Sequence, residues 1–416
     1  MGVRRSLREL PEFSKENSQD KNSSKKSGRS FRGSVRCATS IPPLCSGTAD
    51  TATTIPNAGK KQFNCIDLFC GCGGLSKGFE LAGFNIVGGI DFNQPAINTY
   101  NHNFPNAKGI CCDLLQMDKD LILKSFGTLN NIDVIIGGPP CQGFSAANRY
   151  EKEKDDPRNK LFFEFVKFVD LANPSAVVIE NVRGIITRNK GYAKDRITEI
   201  FESRGYKVTH KILDASEYGV PQKRLRNFFV ITKNKEFSFD SLVKIQHVPT
   251  VQEAIGELYG FEKNNPEEKI ITKAPVTDFQ KYLRRLDNRL VNAEIRYPAE
   301  KVQHRISFVK QGQNWQSVPS ELWPTNRNNR HSSAYKRLAE NEVSVTIDTG
   351  NNHSNYFHPI YNRIPTVREG ARLQSFPDSF EFTGNRSEQY RQVGNAVPPL
   401  LGKAVADALM RLLKNE

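Results

Sequence analysis

Four residues able to do chemistry, Asp67, Asp91, Cys141 and Glu180, each stand at or just beyond the end of an apolar run that reads as a β-strand. Cys141 follows Gly138-Pro139-Pro140, which is preceded by the run Ile132-Asp133-Val134-Ile135-Ile136-Gly137. Proline fixes its own φ and restricts the residue before it, so the cysteine sits in a stiff, aimed loop. A thiolate is a strong nucleophile, and a loop beside basic groups is where a thiol ionises. The plainer alternative is an inert, packed cysteine. Glu180-Asn181-Val182 closes the run Ala176-Val177-Val178-Ile179. Its carboxyl reads either as a proton donor or as an ordinary strand-end cap. In Gln222-Lys223-Arg224-Leu225-Arg226 the two arginines alternate, so they point the same way if the chain is extended. A solvated basic edge is the competing reading.

Asp67-Leu68-Phe69-Cys70-Gly71-Cys72-Gly73-Gly74 reads as a strand, a glycine turn and a helix start. Glycines there let the backbone approach a ligand closely, or simply make a tight turn. Asp91 lies 20 positions after Gly71 and ends the next strand, where a carboxylate can hold ribose hydroxyls. The dinucleotide fingerprint fails, because Ser76 occupies its third glycine position.

These residues need a scaffold that gathers strand ends. Strands are expected at 63–69, 85–90, 132–136, 176–179, 207–213 and 228–232, and helices at 74–82, 93–103, 161–171, 193–204 and 400–413. Alternation of this kind predicts an α/β, doubly wound, mostly parallel sheet. Ligands in such folds sit at the carboxyl ends of the strands, which makes the four residues one candidate site.

The 416 residues suffice for two domains or for one large domain with a smaller lobe. No apolar run reaches the roughly 18 residues that span a bilayer. The eight cysteines contain no C-x-x-C pair, and the seven histidines show no ligand spacing, so no metal is expected. An intracellular, cytoplasmic protein is expected from this cysteine usage. The net charge of +14 is uneven. Residues 1–61 carry 12 Lys/Arg against 5 Asp/Glu, and residues 261–345 carry 15 against 10. A near-neutral core with two basic segments suits a polyanionic partner, although solubility with a basic tail would look the same. Four segments are expected: a disordered basic extension (1–61), a catalytic and cofactor-binding domain (62–235), a basic recognition region holding Trp315 and Trp323 (236–356), and a C-terminal segment returning to the catalytic domain (357–416).

The order of these motifs resembles the DNA cytosine-5 methyltransferases of bacterial type. The resemblance rests on Asp67–Gly74, Pro139-Pro140-Cys141-Gln142-Gly143-Phe144-Ser145, Glu180-Asn181-Val182, Gln222–Arg226, Arg363–Asp378 and Gln392-Val393-Gly394-Asn395-Ala396-Val397-Pro398-Pro399. It implies a Rossmann-like, S-adenosylmethionine-dependent fold with a target-recognition lobe. It further implies that Cys141 attacks C6 of cytosine, that Glu180 manages the proton at N3, and that Arg226, with Arg224, holds O2. Asp67, Phe69, Gly71, Gly73, Gly74, Asp91, Phe92, Asp113, Pro139 and Asn395 would then shape or contact S-adenosyl-L-methionine. Phe69 would face the adenine or methyl donor, Asp91 the ribose and Asp113 the adenine amino group. Phe92 stands where the family often has tryptophan. Double-stranded DNA is the implied partner, reached by base flipping in a nucleoid-associated monomer. A cognate restriction endonuclease or an orphan regulatory role fits the same pattern. Methylation of cytosine in RNA, as in a related branch acting on transfer RNA, and a catalytically dead DNA-binding protein are the alternatives.

Overall fold

The computed structural model describes residues 62–117, 119–140, 157–186, 191–263, 265–323, 334–349 and 355–415. The basic extension and Cys141 lie outside the described residues, as do parts of the recognition region.

Seven strands among the described residues form one sheet: β1 (Asn64–Leu68), β2 (Asn85–Asp91), β3 (Lys108–Cys111), β4 (Val134–Gly137), β5 (Ala176–Val182), β6 (Lys207–Asp214) and β7 (Leu225–Thr232). Their order is β3-β2-β1-β4-β5-β7-β6. β3 through β5 run parallel, while β7 is antiparallel to both β5 and β6. The expected mostly parallel, doubly wound sheet is present. β3 has no counterpart in the expected strands. Its Lys-Gly-Ile-Cys is short and only half-buried, so it carries no clear apolar signature.

Alternation along the strands decides what each face buries. Cys65, Val134, Ile136, Ala176, Val178, Phe228 and Val230 face one core. Ile66, Leu68, Ile135, Val177, Ile179, Phe229 and Ile231 face the other. Helices α1 (Gly74–Leu81), α2 (Gln94–Asn103), α3 (Lys119–Phe126), α4 (Pro157–Ala172) and α5 (Tyr192–Glu202) follow the strands. Buried residues of α4 and α5 cover the second face. The first face takes α1 together with the chain's last helix. Further along lie α6 (Val251–Ile255), α7 (Asp278–Leu283), α8 (Glu300–Ser307), α9 (Val367–Leu373), α10 (Arg386–Asn395) and α11 (Pro399–Lys414). Leu401, Val405 and Leu409 of α11 share the core of Leu75 and Phe79 of α1. The core of the basic region, including Leu283, Ile306, Val309 and Leu338, is continuous with it.

Ion pairs in the interior fasten this region. Arg372 bonds Asp378, Glu257 and the Ala254 carbonyl. Arg363 bonds Glu262 and Glu369. Arg368 donates to the carbonyls of Val291, Pro377 and Phe380. All three guanidiniums are buried. Each ties the stretch around α9 to the chain between α6 and residue 292, where an unpaired buried charge would be prohibitive.

Candidate active site

The chain runs outward from β1 to β2 and β3, then resumes on the other side of β1 with β4 and β5. That reversal opens a crevice at the carboxyl ends of β1 and β4. A cavity of about 750 Å³ lies there, walled by the turn after β1, the ends of β2, β4 and β5, and one face of α10. Its volume falls within the usual range for small-molecule sites.

The glycine turn is held from below and behind. Phe69 adopts φ 64°, a conformation that a bulky residue enters only when its surroundings force it. Asp91 accepts from the backbone N–H of Gly71 at 2.9 Å and from that of Asn93 at 2.9 Å, so it fixes the turn as well as facing the cavity. Burial raises its carboxyl, and these backbone donors oppose the rise. The Ser76 hydroxyl donates to Asp67 Oδ2 at 2.5 Å. Ser76 therefore breaks the dinucleotide fingerprint in order to hold the buried Asp67. Desolvation pushes the Asp67 carboxyl up to about 7.

The three glycines have different work. Gly71 has φ 53° and open space where a side chain would begin. A Cβ on Gly73 would meet Phe104 Cε2 at 2.4 Å, and one on Gly74 would meet the Val397 carbonyl oxygen at 2.4 Å. Gly71 gives backbone freedom beside the cavity, while Gly73 and Gly74 let protein pack on protein.

Of the other expected residues, Phe69, Gly71, Gly74, Asp91, Phe92, Asp113 and Asn395 line the cavity along with Asp67 and Glu180. Phe92 is 74% exposed, leaving a free ring face at the cavity wall. Asp113 also caps a short 3-10 turn by accepting from Leu115 N–H at 3.1 Å.

Four expected residues stand back from it, Gly73, Pro139, Arg224 and Arg226. Gly73 packs against α2. Pro139 is buried and its carbonyl accepts from Asn181 Nδ2 at 3.0 Å, leaving Gly138 and Pro140 in the wall. Arg224 precedes β7, and its guanidinium donates to the carbonyls of Ile347, Gly394 and Ala396 at 2.9–3.0 Å. Arg224 and Arg226 both lie near enough to the Glu180 carboxyl to lower it, but their guanidiniums bond different partners. Arg224 turns into the core and is 1% exposed.

Arg226 instead meets Glu180, with Nε 2.9 Å from Oε1. Antiparallel pairing places Glu180 opposite Phe228 and Val182 opposite Arg226, so Glu180 and Arg226 are diagonal neighbours on one face. Burial raises the Glu180 carboxyl, while Arg226 and, at longer range, Arg224 lower it. Glu180 Oε2 lies 3.4 Å from where a Cβ on Gly138 would sit. The carboxyl is thus packed against the segment that leads to Cys141.

Arg391 and Glu388, not singled out from the sequence, reach the cavity from α10. Positions 388, 391, 392 and 395 share one helix face, a signal that Asn395 could have provided once its helix was recognised. Ser76 offers no such signal, because its partner is nine residues away across a turn.

Comparison with known proteins bears on this geometry. The family model for C-5 cytosine-specific DNA methylases matches residues 63–411. The chain is 37% identical over 376 residues to type II methyltransferase M.DdeI of Desulfomicrobium norvegicum, a match covering 85% of this chain and 89% of that protein. It is 39% identical over 353 residues to type II methyltransferase M1.HphI of Haemophilus parahaemolyticus, covering 84% and 87%. A crystal structure of a candidate DNA modification methyltransferase encoded within an E. coli prophage matches with TM-score 0.69 and 28% identity, over 85% of this chain and 100% of that one. S. pombe Dnmt2 methyltransferase, at 18% identity and TM-score 0.53 over 85% of this chain and 99% of its own, shares the fold. The chain belongs to the C-5 cytosine-specific DNA methylase family and is a DNA cytosine-5 methyltransferase.

Proposed function

We propose that the protein methylates C5 of a flipped-out cytosine in duplex DNA through a covalent Cys141–C6 adduct, using S-adenosylmethionine held in the strand-end cavity. The observation that carries this reading is Glu180, set at the cavity wall against Gly138, three residues before Cys141, and paired from behind with Arg226.

The cavity suits the cofactor. Phe92 offers a bare ring for a base, Asp91 a carboxylate for ribose hydroxyls, and Gly71 an open backbone approach. Phe69, Gly74, Asp113 and Asn395 would complete the walls, with Gly73, Pro139 and Asp67 fixing their shape. When bound, S-adenosylmethionine supplies an electrophilic methyl group.

Cytosine C5 is a poor nucleophile until addition at C6 gives it electron density. Cys141 makes that addition. Glu180, whose carboxyl is raised by burial, donates a proton to N3 as charge builds on the ring. Arg226 holds Glu180 in place and faces O2. After C5 is methylated, a base removes the C5 proton, Cys141 leaves as a thiolate, and the N3 proton returns to Glu180. A cytosine inside a stacked duplex cannot reach this crevice, so it is rotated out of the helix. The type II names of the relatives support a role in restriction–modification, with a cognate endonuclease as functional partner and a cytoplasmic, nucleoid-associated location.

The test is transfer of a radiolabelled methyl group from S-adenosylmethionine to duplex DNA of diverse sequence, beside transfer RNA. Label in DNA cytosine, and a covalent complex on DNA carrying 5-fluorocytosine, are expected. Absence of both from protein that still binds the cofactor overturns the reading, and label confined to transfer RNA replaces it with the RNA alternative.

A further inference from the structure

The cavity wall carries five carboxylates, from Asp67, Asp91, Asp113, Glu180 and Glu388, and one cationic side chain, Arg391. Each carboxylate already has a partner in the protein. Asp67 accepts from Ser76, Asp91 from the turn, Asp113 from Leu115 N–H and Glu180 from Arg226. Glu388 accepts from Asn385 N–H and so caps its own helix. Arg391 is exposed and has no hydrogen-bond or ionic partner among the described residues. A guanidinium with five fixed donors, placed among satisfied acids, is complementary to an anion that comes with a ligand.

We propose that Arg391 is a cofactor-positioning residue that pairs with the carboxylate at the amino-acid end of S-adenosylmethionine. The inference rests on the cofactor assignment above and adds a residue to it. Two features of the structure converge on the same end of the ligand. Arg391 stands one helical turn before Asn395 on the face of α10 turned to the cavity. The Cys72 thiol reaches the Gln392 carbonyl, which brings α10 against the glycine turn. The helix that follows this turn, α1, has Gly73 at its N-cap, and its first N–H groups are taken within the protein, Gly74 N–H by Cys72 and Ser76 N–H by Asp67, which leaves Arg391 to meet a ligand's negative charge. An acidic cavity that admits a sulfonium needs a separate subsite for the ligand's one carboxylate, and Arg391 supplies it.

The test compares calorimetric affinities of the full-length protein, without DNA, for S-adenosylmethionine and for its decarboxylated analogue, which keeps the sulfonium, the amine and the adenosine. Arg391→Gln should weaken S-adenosylmethionine about tenfold, the worth of one charge-assisted hydrogen bond, and leave the analogue within about twofold. Arg391→Lys should recover part of the loss. Equal weakening of both ligands, or no weakening of either, overturns the proposal while leaving the cofactor assignment standing. Wild-type protein that binds neither ligand overturns the assignment itself and the proposal with it.

Discussion

Arg224 and Arg226 are two residues apart, yet the structure gives them unlike work, and substituting each tests that division. Arg224→Met leaves the carbonyls of Ile347, Gly394 and Ala396 without their donors in a site that water does not reach. A buried polar group stripped of its partner costs about 1–3 kcal/mol. Three such groups give a loss of about 3–6 kcal/mol, after allowing for the desolvation relieved when the charge is removed. Arg226→Met removes one partner of a pair whose side chains are 16% and 14% exposed, and Glu180 can respond by taking up a proton. Its stability cost should stay below about 2 kcal/mol, while turnover falls about 10²–10³-fold, the scale of one lost charge-stabilising donor. Urea unfolding at unchanged slope reads the first effect, and methyl transfer to duplex DNA reads the second. Arg224→Lys separates charge from geometry, because one ammonium cannot serve three carbonyls held by a planar fork. It should remain destabilised by more than about 2 kcal/mol. If Arg224→Met unfolds at the wild-type urea concentration while turnover collapses, Arg224 belongs to the chemistry and the assignment drawn from its hydrogen bonds is wrong.

Other outcomes follow from the same geometry. Gly74→Ala drives a Cβ to 2.4 Å from the Val397 carbonyl oxygen and should cost about 3 kcal/mol or more, whereas Gly71→Ala meets no atom and should cost only the 1–2 kcal/mol of a left-handed backbone; thermal melts giving the reverse order would refute the roles assigned to the two glycines. Burial pushes the Asp67 carboxyl from 3.8 to about 7, so folding carries no penalty from it below 3.8, a penalty that grows as pH rises from there to about 7, and a constant one above. Asp67→Asn should therefore gain stability relative to wild type between pH 4 and pH 8, by up to about 4 kcal/mol, and a difference that does not change with pH would contradict the buried, raised carboxyl. Phe92→Ala should weaken cofactor binding about tenfold through loss of the stacking face, and unchanged calorimetric affinity would remove Phe92 from the site. Cys141→Ser should abolish methyl transfer and the 5-fluorocytosine complex while leaving cofactor affinity intact; retained turnover would take Cys141 out of the mechanism.

The sequence by itself determined six of the sheet's seven strands, β3 excepted, and the placement of Asp67, Asp91 and Glu180 at strand ends. Apolar runs broken by a glycine turn, by Pro139-Pro140 and by Glu180-Asn181 are local signals, and strand alternation carries them directly into which residues face each core. Strand-end placement of Asp67, Asp91 and Glu180 followed from the same runs. What the chain's order could not contain is any relation between distant segments. Whether Arg224 reaches the base or the core depends on carbonyls at 347, 394 and 396 that meet it only after distant later stretches of the chain fold back. Whether a glycine serves a ligand or a neighbouring segment depends on what a side chain there would meet, and for Gly74 that is the Val397 carbonyl oxygen. The need for Ser76 appears only when Asp67 is buried beside it, and the isolation of Arg391 only when every acid around it has found its own partner. Residue types and local spacing set the chemistry that was possible; packing between segments far apart in the chain, which must satisfy every buried charge and carbonyl, decided which side chains were left free to perform it.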